Sequence, residues 1–123
     1  MGVHEAIRAA EALLPGEPVD DGEDPRWQAI IAVGEHVEAD PDPVWEFILR
    51  WGGHAQADLR DAVACCLLEH ILEYHFDAYF LRVEASALAD AMFADTFGRC
   101  SRFGQAQESA NAARADLLAA RLS

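Results

Sequence analysis

Apolar side chains recur along this chain every third or fourth residue, and nowhere do they alternate over the length a strand would need. The first run, Val3 to Leu14, places Ala6, Ile7, Ala10 and Leu14 on one face and ends at Pro15-Gly16. From Gly16 to Asp24 the chain holds Glu17, Asp20, Asp21, Glu23 and Asp24 with Gly22 and Pro18, which predicts an exposed acidic loop over residues 15–24. Asp24-Pro25 and Asp42-Pro43 then offer the same start signal twice. A carboxylate accepts the free backbone N–H groups, and proline sits where its missing donor costs nothing.

The second helix is expected to gather Trp27, Ile30, Ile31, Val33, Gly34 and Val37 on one side, with Gln28, Glu35 and His36 away from it. The third has a broader apolar arc of Val44, Trp45, Phe47, Ile48, Leu49 and Trp51, with Glu46 and Arg50 placed to pair at i, i+4 and Gly52-Gly53 closing it. Laying Asp24 on Asp42 matches Trp27 with Trp45, Gly34 with Gly52 and His36 with His54 at an offset of 18 residues. That is shorter than the helix-pair repeats of TPR, HEAT or armadillo arrays, and either a degenerate duplicated helix or shared capping chemistry would produce it.

A fourth helix, from about Asp58 to Tyr74, is predicted as the central element. Leu59, Val63, Cys66, Leu67, Ile71 and Tyr74 form its main face, Leu68 and Leu72 extend it, and Glu69 and Glu73 keep a narrow wet stripe. Asp77 is read as the cap of a short fifth helix with Tyr79, Phe80, Val83 and Ala87. A sixth carries Phe93, Phe97, Cys100 and Phe103 and stops at Gly104, and Ser109 starts a last helix to Leu122. The pattern implies an all-α fold: a compact bundle of about six or seven short helices, with HEAT-like helical hairpins as one form of it, in one domain spanning 1–123. Trp45, Trp51, Leu67, Ile71, Phe93 and Phe97 are its candidate core.

With 123 residues, 52% of them hydrophobic, such a chain can build its core without disulfide or metal. Cys65, Cys66 and Cys100 are odd in number, two are adjacent, and all lie in helical patterns, so reduced thiols in a cytoplasm are expected. No secretory pattern opens the sequence and no uncharged stretch approaches a membrane span. All nine basic residues are arginine, a composition that looks like the coding bias of a GC-rich bacterial genome.

Charge changes the picture more. The net charge is −13. Residues 1–46 hold twelve acids against Arg8 and Arg26, whereas residues 47–123 hold ten acids against seven arginines. Such a field repels nucleic acid and anionic membranes and draws basic partners. It would equally serve as a solvated surface that keeps a small protein dispersed.

Candidate chemistry is sparse. His70 and His75 stand at i, i+5 around Glu73, so they diverge by about 140° and cannot form the histidine pair of a zinc protease. Glu69 and Glu73 share a face, but no second Glu-x-x-His completes a carboxylate metal site. His70 is expected as a buried imidazole satisfied by a carbonyl or a carboxylate, and His36 and His54 as exposed. No phosphate loop, nucleophile elbow or redox Cys-x-x-Cys occurs, and serine and threonine are scarce. The chain is therefore expected to be no enzyme, to need no cofactor or metal, and to act by binding protein. Its candidate partner-binding residues are Glu17, Asp20, Asp21, Glu23, Asp24, Glu35, Glu38, Asp40, Asp42 and Glu46.

Small size, strong acidity, an all-helical pattern and reduced cysteines together resemble the small acidic immunity proteins of bacteria, which neutralise toxin domains of contact-dependent and secreted systems. The tract from Asp24 to Gln105, with Asp-Pro-Arg-Trp-Gln-Ala-Ile-Ile-Ala-Val-Gly-Glu and Leu-Leu-Glu-His-Ile-Leu-Glu-Tyr-His-Phe-Asp-Ala-Tyr-Phe, is also similar to short uncharacterised bacterial proteins with HEAT-like helices. The first resemblance implies a cytoplasmic inhibitor that masks a basic partner such as a toxin domain, with no nucleic-acid or membrane partner. The alternative is a helical adaptor or a homo-oligomeric structural protein.

Overall fold

A computed structural model describes residues 1–20 and 22–123, so the expected docking residue Asp21 lies outside the described residues. Seven helices form, and no strand occurs among the described residues. They are α1 (Val3–Glu11), α2 (Pro25–Gly34), α3 (Pro41–Trp51), α4, α5 (Phe76–Ala89), α6 (Ala91–Gly98) and α7 (Ser109–Leu122), with a 3₁₀ turn at Gly104–Gln107. The helix α4 is continuous but not uniform: Ala57–Val63 is α-helical, Ala64–Leu68 is wound as π-helix, and Glu69–Tyr74 returns to α.

The long α4 is the axis of the molecule. Its flanks meet α2 and α3 on one side and α5, α6 and the 3₁₀ turn on the other, while α1 covers α2 and α3 and α7 lies against α5. One continuous core runs through all of them, with Phe47, Ile48, Leu67, Ile71, Phe76 and Phe80 fully enclosed. Of the expected core, Trp45, Leu67, Ile71, Phe93 and Phe97 are buried. Trp51 is only half-buried, because its indole N–H reaches out to Glu11 (3.0 Å).

The π turn explains where the sequence reading of α4 slips. A π turn holds one residue more than an α turn, so every position after it is displaced by about one residue around the axis. Cys66, His70 and Tyr74, expected on the buried face, are consequently half-buried or exposed, and Leu67, Leu68, Ile71 and Leu72 take the core. Glu69, expected to be wet, turns inward instead and accepts the backbone N–H of Ser101 (2.9 Å). Gly34 lets α2 approach this turn: a Cβ there would stand 2.5 Å from the Cys66 carbonyl oxygen.

Several helix boundaries also differ from the expectation. The first helix stops at Glu11 rather than Leu14. The cap of α3 position is Asp40, not Asp42, so α3 starts at Pro41 and the 18-residue correspondence fails at the caps. Asp77 lies within the first turn of α5, which begins after His75 and runs 14 residues rather than being short. Ser109 is likewise the first residue of α7, with Glu108 in the cap position. Phe103 lies beyond α6 and is exposed, stacked on His70.

Candidate partner-binding surface

Building the surface from its residues starts at Arg26, which the sequence reading counted simply as a base. It is buried and is the centre of a polar knot. Its guanidinium donates to Asp24 (2.7 Å through Nη2), to the Pro15 carbonyl (2.9 Å) and to Gln56 Oε1 (3.1 Å), and it also bonds Asp58. Gln56 in turn donates to the Gly16 carbonyl (2.9 Å). The start of the acidic loop is thereby latched to the N-terminus of α4.

Asp24 consequently leaves the docking set. Its side chain caps α2 through the Arg26 backbone N–H (2.9 Å) and is closed over by the same residue's guanidinium. The Arg26 hydrogen bond holds its carboxyl below the usual aspartate range. The other described loop acids, Glu17, Asp20 and Glu23, are exposed as expected.

The remaining candidates lie elsewhere. Glu35, Glu38 and Asp40 occupy the turn between α2 and α3, and Asp42 and Glu46 stand on α3; all five are exposed. Loop and turn sit at opposite ends of α2, so this sequence-contiguous acid tract is divided into two groups about 15 Å apart along that helix. The turn group is the better built. His75 Nε2 lies 3.1 Å from the Val37 carbonyl oxygen and 2.9 Å from that of Glu38. Carbonyls only accept, so this nitrogen carries the proton. Asp42 accepts the Tyr79 hydroxyl, and burial together with that bond pushes the Tyr79 phenol up to about 12. These two contacts fasten the turn and the start of α3 to α5.

Beside them a groove of about 340 Å³ runs between α1 and α3, lined by His4, Ile7, Asp42, Pro43, Glu46 and Arg50. Ile7 and Pro43 are its apolar lining, Asp42 and Glu46 its acids, and His4 and Arg50 complete it. The expected Glu46–Arg50 pair does not form: Arg50 turns to Glu11 (2.8 Å), leaving Glu46 without an arginine. Glu5 was missed by the sequence reading. It is exposed in the first turn of α1, next to the groove-lining His4 but about 100° further around the helix, and has no arginine partner among the described residues.

Charge compensation differs between the halves of the chain. In the later half, Asp58, Asp61, Asp77, Glu84, Asp95 and Asp116 each lie within 4.0 Å of an arginine. Among the described residues of the earlier half, Glu11 and Asp24 have such a partner, whereas Glu5, Glu17, Asp20, Glu23, Glu35, Glu38, Asp40, Asp42 and Glu46 have none. Arg8 is exposed on α1 and also lacks a carboxylate partner among the described residues.

The residues weighed for chemistry differ in burial from the expectation. His70 is 34% exposed rather than buried, with Nδ1 2.7 Å from Glu73 and Nε2 3.7 Å from Glu69. His36 and His54 are half-buried rather than exposed. The three cysteines are free thiols. Burial first, and then Asp61 and Glu69 for Cys65 and the adjacent Cys65 with Glu69 and Asp61 for Cys66, push both thiols up to about 11, and burial raises Cys100 as well. No grouping of three potential metal ligands occurs among the described residues, and no helix there is long and apolar enough to cross a membrane. No family model, curated protein or solved structure matches the chain.

Proposed function

We propose that this chain is a non-enzymatic, cytoplasmic protein-binding protein whose acidic end, at the α2–α3 turn and the α1/α3 groove, masks a basic partner such as a toxin domain. One observation carries the reading. Arginines lie within 4.0 Å of most carboxylates of the later helices, while Glu35, Glu38 and Asp40 at the α2–α3 turn and Asp42 and Glu46 at the adjoining groove have no arginine partner among the described residues. Keeping uncompensated carboxylates together costs self-repulsion, which an incoming cationic surface relieves. An arginine or lysine of the partner would lay its methylene stem on Ile7 and Pro43 and bring its charged head to Asp42 and Glu46. The acids of the 15–24 loop add long-range attraction from the other end of α2.

Affinity capture from the native host, followed by association kinetics with the recovered partner, tests the reading. Replacing Glu38, Asp40 and Glu46 together by arginine should leave the helical spectrum unchanged, since all three are exposed. The same variant should slow association by about tenfold or more at low salt, and wild-type association should weaken as salt shortens the screening length towards about 8 Å. A folded triple variant that binds the same partner with unchanged on-rate and affinity would sink the proposal.

A further inference from the structure

The face formed by α5 and α7 has a different character. Apart from Met1, its Leu117 and Leu81 are the most exposed large apolar side chains of the described residues, at 67% and 64%. Arg114 lies 4.0 Å from Asp77 and 4.7 Å over the Phe80 ring, and Arg121 lies 3.9 Å from Glu84. Both ion pairs advance seven residues on each helix, so α5 and α7 run parallel in one register. Leu81 and Leu117 fall between the two pairs at the same level, and Leu88, also exposed, continues the seam two turns beyond Leu81. The neighbouring Ala85 and Ala113 are exposed and small, which lets another helix approach closely.

Charge says what can cover this seam. Two copies of a chain carrying −13 repel one another over most of their surfaces. Here, however, the carboxylates of α5 and α7, Asp77, Glu84 and Asp116, each lie within 4.0 Å of an arginine. The two helices together carry three acids, Asp77, Glu84 and Asp116, against three arginines, Arg82, Arg114 and Arg121, so their charges balance. A strongly basic partner has little to gain at such a surface, whereas a second copy meets its least repulsive side.

We propose that a second copy of this chain docks on the α5–α7 seam about a two-fold axis, so that four helices close over Leu81, Leu88 and Leu117. The size of the face sets the strength of the contact. Helices of 14 residues are about 21 Å long, and two of them about 10 Å apart present roughly 1,000 Å² of accessible surface from both copies, the class of weak, transient interfaces. The dimer therefore forms at high protein concentration and leaves the acidic end free.

Sedimentation equilibrium from about 10 μM to about 1 mM protein tests this without any partner. The weight-average mass should climb towards twice that of the monomer, and added salt should strengthen association by screening the shared negative charge, opposite in sign to its effect on basic-partner binding. Leu81→Arg with Leu117→Arg should weaken self-association by about tenfold or more, and the milder Leu81→Ala with Leu117→Ala should weaken it without adding charge. Leu13→Arg, an exposed leucine on the other side of the molecule, should leave it unchanged. A protein that stays monomeric throughout, a dimer indifferent to both double variants, a dimer loosened by salt, or equal loss in Leu13→Arg would each overturn the proposal.

Discussion

Replacing Arg26 with methionine should be among the most damaging single changes to this molecule, although Arg26 stands in a tract whose sequence reads as solvated. Methionine keeps the methylene stem and the α2 cap from the residue-26 backbone N–H, and it removes the charge and all guanidinium contacts. Those contacts join Asp24, Asp58, Gln56 and the Pro15 carbonyl at once. Breaking one partner of a buried ion pair typically costs 3–5 kcal/mol. Asp58 is about one-third exposed and can regain water, which brings the expected loss to about 2–4 kcal/mol. Urea unfolding followed by circular dichroism measures it directly. The pH dependence gives a second signature. Arg26 holds the Asp24 carboxyl below its usual range, so the pair's contribution is complete above the unfolded aspartate value of about 4 and fades as pH falls through the lower, folded value. The gap between wild type and variant should accordingly narrow below about pH 4. A loss under about 0.5 kcal/mol at pH 7, or a gap that stays constant down to pH 2, would refute the account of the knot.

Gly34→Ala should destabilise the fold even though alanine favours helix by up to about 1 kcal/mol. The new methyl meets the Cys66 carbonyl at 2.5 Å, and overpacking against backbone costs about 1–3 kcal/mol, so a variant that melts higher than wild type would contradict the close approach. Cys65 and Cys66, with thiols pushed up to about 11, should alkylate at pH 8 about a hundredfold more slowly than an unperturbed thiol, and rates matching free cysteine would show that the π turn opens readily.

What the sequence by itself determined was the helical architecture and most of its core. Period-3.6 spacing places Ile30, Val33, Phe47, Ile48, Leu67 and Phe80 inward, because local geometry alone decides which residues of a helix share a face. The Asp24 cap was legible for the same reason: the carboxylate and its N–H lie two residues apart. Interactions between distant residues were not legible. The sequence gives no sign that Arg26 meets Asp58 rather than solvent, or that Arg50 reaches Glu11 across two helices instead of Glu46 one turn away. The π turn in α4 moves Cys66, His70 and Tyr74 outward and Glu69 inward, a displacement that uniform helix periodicity cannot anticipate. Along the chain the acidic tract is continuous. The tertiary structure divides it between the two ends of α2 and closes Asp24 under Arg26, since helix packing, rather than sequence distance, decides which charges are neighbours.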